Sequence, residues 1–201
     1  MQPLSKTANP SMNFGKYPEI QPKTKLVKKA YAFVMLLIVG RGIEAAARVD
    51  ERGGRIFSEL PEGFVFTLGV SPDGPYMLAG KDKSGRLRYL GWRRWGHKIR
   101  LGLHIKNLES AIKVFTFQES TALAYNYDRF SVEGSLPRAL AVVRVLDIVE
   151  VYLLPKIIAR LAVKRYPGWS ELSPVKKHVN RLRIYLKIFS PSLVRVIYRN
   201  I

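Results

Sequence analysis

Apolar positions first follow a helical period from about Thr24, a plausible N-cap, towards Ala47, through Leu26, Ala30, Phe33, Leu37 and Ile38. Gly53-Gly54 and Pro61 read as breaks. The period then drops to two. Phe64, Phe66, Leu68 and Val70 alternate with smaller residues, Pro72-Asp73-Gly74 signals a turn, and PYMLAG reads as the return strand. Asp82-Lys83-Ser84-Gly85 marks a second turn into RLRYLGW. In KIRLGLHIK, Ile99, Leu101, Leu103 and Ile105 alternate with Lys98, Arg100, Gly102, His104 and Lys106, which predicts a strand with one wet face closing an antiparallel meander of four strands.

Asn107 then caps a helix containing Leu108, Ala111, Ile112 and Phe115, and a short helix is expected near Ser120. Phe130–Glu133 reads as one more strand. Beyond Gly134-Ser135, Leu136–Leu154 is apolar on nearly every side, with Pro137 in its first turn. After Arg138 its charged residues are Arg144, Asp147 and Glu150, spaced as an i,i+3 stripe on a helix surface. Such a helix is buried on most faces or walls something apolar. Its three charges, and Pro155 just beyond, argue against a bilayer span. The order of elements gives an α+β fold, with a sheet covered on one face by helices.

Composition adds a partner. The 201 residues carry 34 Lys and Arg against 15 Asp and Glu, a formal charge of +19, with 47% hydrophobic residues and no cysteine. That excess calls for a polyanion, either the anionic cytoplasmic leaflet of a membrane or nucleic acid. Without cysteine there are no disulfides or thiolate sites, which fits a reducing compartment. Residues 1–22 contain Pro3, Pro10, Pro18 and Pro22 among polar residues and read as a flexible leader rather than a secretory signal. The longest apolar run, Ala30–Val39, is too short to span a bilayer.

Two basic segments stand out. In LGWRRWGHKIR, Trp92 and Trp95 interleave with Arg93 and Arg94, a pattern suited to lipid headgroups or to single-stranded nucleic acid, and equally to a solvated turn with one buried tryptophan. From Lys156 onward there are eleven Lys or Arg against the single acid Glu171. Within 167–201, Val175, Val179, Leu182, Leu186 and Phe189 recur at helical spacing, widened by Ile184, Tyr185 and Ile188, while Lys176, Lys177, Arg183 and Lys187 occupy other faces. This tail reads as an interfacial amphipathic helix, or as a helix packed on the domain with its charges outward.

Enzymatic chemistry finds little support in these residues. His97, His104 and His178 lack metal-ligand spacing, no serine sits in a nucleophile elbow, and there is no phosphate-binding glycine loop. No cofactor is expected.

The segment DRFSVEGSLPRALAVVRVL, with Arg129, Val132 and Gly134, and the later Leu153–Lys156 (LLPK) resemble the sterol carrier protein 2 (SCP2) lipid-binding family, in its bacterial branch, which includes accessory lipid-binding proteins of ubiquinone biosynthesis. The resemblance spans about residues 60–166. It implies an antiparallel or mixed five-stranded sheet covered on one face by helices that enclose an apolar tunnel for an acyl, isoprenoid or sterol-like lipid, with no catalysis. The domain would run over 23–166, with its N-terminal helix and the basic helical tail outside the family pattern. Phe115, Phe117, Leu123 and Tyr125 ahead of the greasy helix, and Leu140, Val143, Leu146 and Leu154 within it, are the candidate tunnel walls. Taken one by one, the same residues also suit a solid core. The expected role is binding and presentation of a hydrophobic ligand by a cytoplasmic, peripherally membrane-associated protein. Nucleic-acid binding, or service as an interaction subunit for a protein partner, are the competing readings.

Overall fold

The computed structural model describes residues 25–116, 118–119, 121–154 and 174–190. In chain order they form α1 (Leu26–Val49), α2 (Glu51–Ser58), β1 (Val65–Val70), β2 (Tyr76–Lys81), β3 (Leu87–Gly91), β4 (Leu101–Ile105), α3 (Leu108–Phe115), α4 (Thr121–Asn126), β5 (Phe130–Gly134), α5 (Leu136–Leu153) and α6 (Pro174–Ile188). The fold is α+β, with one five-stranded mixed sheet packed against helices. Thr24, the expected cap of the first helix, lies outside the described residues.

Strand order is β3-β2-β1-β4-β5. The β1–β2, β2–β3 and β4–β5 pairs are antiparallel, but β4 runs parallel to β1, with Phe66 beside Leu101 and Val70 beside Ile105. This corrects the four-strand meander. Alternation in KIRLGLHIK sets which residues share a face, and it is silent about which neighbour the strand pairs with. The connection 92–100 carries the chain from β3 across β2 and β1, and Arg94 sits 5.0 Å over the Tyr76 ring on the helix-free face.

One sheet face is hydrocarbon. Phe66, Leu68, Met77, Ala79, Leu101, Leu103 and Ile105 are all buried beneath α1 and α5. On the other face Lys98, Arg100 and Lys106 are exposed as expected, but the middle of β4 is not wet. His104 is only 4% exposed, because Tyr76 packs edge-on at 6.2 Å between ring centroids and the Glu133 carboxylate comes within 3.4 Å of its Nε2. Gly102 makes this possible, since a Cβ there would sit 2.5 Å from the imidazole.

Helix α1 is long and apolar enough to cross a bilayer by composition, yet half of its most apolar window is buried inside the domain. Two glycines let it approach its neighbours closely. A Cβ on Gly40 would fall 2.6 Å from the Tyr89 ring, and one on Gly42 2.8 Å from Val149. Between them, Arg41 is buried and donates to the carbonyls of Lys187 at 2.7 Å and Ile188 at 3.4 Å, fastening α6 to α1. Glu44, also buried, accepts from Arg41 at 3.2 Å, from Arg48, and from the backbone N–H of Tyr89 at 3.1 Å. Burial lowers the pKa of Arg41, with the Glu44 charge opposing it. A buried pair so connected ties three elements into one arrangement.

Gly53-Gly54 does not break the chain; both lie within α2. Asp50 caps that helix by accepting from the Arg52 N–H at 2.8 Å, and Gly53 packs against the last turn of α1. Asp50 also pairs with the Arg52 guanidinium at 2.9 Å and accepts from the Tyr152 hydroxyl at 2.6 Å. Burial alone would raise the Asp50 pKa, but the Arg52 and Tyr152 hydrogen bonds outweigh it and hold the carboxyl below its usual range.

Candidate functional site

A cavity of about 250 Å³ lies between α1, α5 and α6, floored by the sheet and closed at one side by α3. Met35, Ile38 and Val39 come from α1, Leu68 from β1, Ile105 from β4 and Phe130 from β5. Val114 and Phe115 come from α3, and Leu146, Val149, Leu153 and Leu154 from α5. Tyr185, Ile188 and Phe189 complete it from α6. Ile105, Val149 and Ile188 are buried, whereas Phe189 and Tyr185 are exposed, so the cavity meets the outside beside the end of α6.

Every lining side chain is hydrocarbon or thioether except the Tyr185 hydroxyl and Glu150. The Tyr185 hydroxyl donates to the Leu153 carbonyl at 2.9 Å and so faces away from ligand chemistry. Glu150 is different. Its Oε2 is sealed from water and has no hydrogen-bond partner among the described residues. Burial first, and the nearby Asp147 charge second, push its pKa up to about 8. At neutral pH this carboxyl is therefore largely protonated.

The placement of Glu150 corrects the surface stripe expected for Arg144, Asp147 and Glu150. At 3.6 residues per turn, each step of three falls about 60° short of a full circle, so six residues swing the side chain by about 120°. Arg144 faces solvent, Asp147 is half-buried, and Glu150 has turned into the wall.

Of the candidate wall residues, the structure brings Phe115, Leu146 and Leu154 together in the cavity. Leu123, Tyr125 and Leu140 lie at the surface, Leu140 at 52% exposure, and Val143 is half-buried outside the cavity. On α5 the inward face runs through Ala139, Val142, Val145, Leu146 and Val149, and Leu140 and Val143 fall off that line. Phe117 lies outside the described residues. The α1 and α6 walls were not anticipated. The only sequence signal for them was an excess of apolar residues on both helices beyond what one packing face requires.

Among the residues expected at a membrane, Trp95 is 91% exposed and flanked by exposed Arg93 and Arg94. Trp92 is instead half-buried, edge-on to Phe33 of α1 at 5.2 Å. On α6, Arg183 and Lys187 are exposed, but Lys177 is buried against the domain, a correction to its assignment as a contact residue. Lys176 lies on the same helix. Helix α6 is anchored by buried Ile184 and Ile188 and by Arg181, which donates to the carbonyls of Tyr152 at 2.8 Å and Leu154 at 2.6 Å. Its regular apolar stripe, Val175, Val179, Leu182, Leu186 and Phe189, points outward. No group of three or more metal-binding side chains occurs among the described residues.

A solved structure described as "UbiJ-SCP2 Ubiquinone synthesis protein" aligns with 64% of this chain and 99% of its own, at a TM-score of 0.37 and 13% identity. No family model and no curated protein matches the chain.

Proposed function

We propose that the protein binds the apolar chain of a lipid in the cavity between α1, α5 and α6 and holds it at an anionic membrane surface, without catalysing a reaction on it. The observation that carries this reading is the cavity itself, whose largely hydrocarbon wall is drawn from seven elements. Its volume of about 250 Å³ lies just below the roughly 300–1,000 Å³ of small-molecule sites, so it houses part of a long chain while the remainder leaves past Tyr185 and Phe189. Hiding about 200 Å² of apolar ligand surface there stabilises the complex by ~5 kcal/mol before association costs.

The membrane half of the reading rests on α6 and on the loop at 92–100. The outward stripe of α6 ends at Phe189, a residue of the cavity wall, so the surface suited to lipid and the cavity are continuous. Arg183 and Lys187 on the same helix, and Arg93 and Arg94 beside Trp95, supply the positive charge. Each cation near an anionic leaflet contributes about 1 kcal/mol. In this reading the protein is peripheral to the cytoplasmic leaflet and presents a hydrophobic molecule, a quinone precursor being one candidate, to other proteins of lipid or quinone metabolism.

The test combines a fluorescent acyl probe with vesicles. Saturable probe binding, together with sedimentation on phosphatidylglycerol vesicles that weakens with salt, is the expected result. No probe binding, accompanied by tight, salt-steep binding of single-stranded oligonucleotides, would replace this reading with a nucleic-acid one.

A further inference from the structure

Glu150 raises a question that an oily cavity does not answer, namely why a carboxyl is set in its wall. A carboxyl oxygen sealed from water without a partner costs free energy that a leucine at the same place would not. Helix α5 has room for another choice, since its neighbours Val149, Val151 and Leu153 are all apolar. The cost is offset when a bound molecule supplies the missing hydrogen bond.

We infer that Glu150 is a specificity-determining residue of this cavity, hydrogen-bonding the uncharged hydroxyl of a long-chain alcohol or phenol and discriminating against ionised heads such as fatty carboxylates. The inference rests on the proposed lipid-binding role. Three observations support it. First, Glu150 lies in the cavity wall, with Oε2 lacking a hydrogen bond. Second, among the described residues the groups facing it include no cation. Asp147 on the same helix is acidic, the Tyr185 hydroxyl of α6 already donates to Leu153, and the wall residues from α1, α3, β1, β4 and β5 are apolar. Among the described residues, an anionic head entering this wall would meet acid and hydrocarbon, with no cation to neutralise it. Third, a protonated carboxyl both donates and accepts, as a hydroxyl does, so one alcohol or phenol satisfies both partners.

Full-length protein is loaded with a fluorescent apolar probe, which is displaced at pH 7 by dodecan-1-ol or by dodecanoate. In the wild type the alcohol displaces at about tenfold lower concentration than the carboxylate, the discrimination that a neutral hydrogen bond of ordinary strength provides. Glu150→Gln, which still donates and accepts, keeps the alcohol within about threefold of wild type. Glu150→Leu loses most of the alcohol preference. Because Leu removes a polar group from the cavity wall, a folding defect is not the expected cause of that loss, and a urea unfolding midpoint no lower than that of the wild type checks it. Equal displacement by alcohol and carboxylate in the wild type, or unaltered alcohol binding by Glu150→Leu, overturns the assignment of Glu150 and leaves the lipid-binding reading standing. Absence of probe binding in every variant overturns both.

Discussion

At the scale of single residues, the two acids Asp50 and Glu150 have opposite surroundings and opposite consequences. Asp50 is buried with Arg52 and the Tyr152 hydroxyl as partners, so replacing it removes a helix cap and leaves the buried Tyr152 hydroxyl without its acceptor, with only the contact from Asn180. Asp50→Ala is expected to destabilise by about 2–4 kcal/mol, and Tyr152→Phe by about 1, measured by urea unfolding. Equal losses would show that the cap and the ion pair contribute nothing beyond the phenol contact. Glu150 has burial and an acidic neighbour instead, which raise its folded pKa from 4.5 to about 8. The folded state then holds a proton that the unfolded chain releases, so this group's contribution is full below about pH 4.5 and is lost as pH rises towards 8. Glu150→Gln removes that dependence. Its stability relative to wild type should therefore grow between pH 5 and pH 8.5, by about 2–4 kcal/mol after discounting for partial exposure. A difference that stays flat with pH would place the carboxyl in water.

At the scale of elements, α1 determines what the others can do. Gly40 costs about 1 kcal/mol of helix propensity, and in return the helix backbone comes within reach of the Tyr89 ring and Met77. Gly40→Ala should lower stability by about 1–3 kcal/mol despite the better propensity of alanine, because Tyr89 is buried and its ring has nowhere to go. A gain in melting temperature would mean that α1 sits further from the sheet. These elements also mark what was legible beforehand. The β1–β2 hairpin, the Asp82 turn and α5 are local patterns, and each appears where alternation, turn chemistry or apolar density put it. The parallel pairing of β4 with β1 and the burial of His104 under Tyr76 and Glu133 depend on partners distant in sequence. The passage of α2 through two glycines is supported instead by the Asp50 cap beside it.

At the scale of the whole molecule, the cavity and α6 form the least legible and most consequential arrangement. Helical spacing on 174–189 identified a stripe, and spacing alone cannot say whether that stripe faces inward or outward. Inward packing went instead to Ile184, Ile188 and Arg181, because Arg41 and the carbonyls at the end of α5 offer hydrogen bonds on that side. Leu182 and Leu186 are left 61% and 66% exposed. Replacing both by Gln should leave the melting temperature within about 2 °C, as surface substitutions do, while weakening binding to phosphatidylglycerol vesicles about tenfold. Unchanged vesicle affinity would remove α6 from the membrane contact and leave that role to Trp95.

The central claim, a lipid in the cavity between α1, α5 and α6, is tested most directly by native mass spectrometry of the freshly purified protein beside a cavity-filled variant. Val114 lines the cavity and is half-buried, so Val114→Trp projects an indole into the space. The account predicts a mass increment corresponding to one long-chain lipid on the wild type, released by organic extraction and absent from the variant. A wild-type preparation at its bare sequence mass, or the same increment on both proteins, would contradict it.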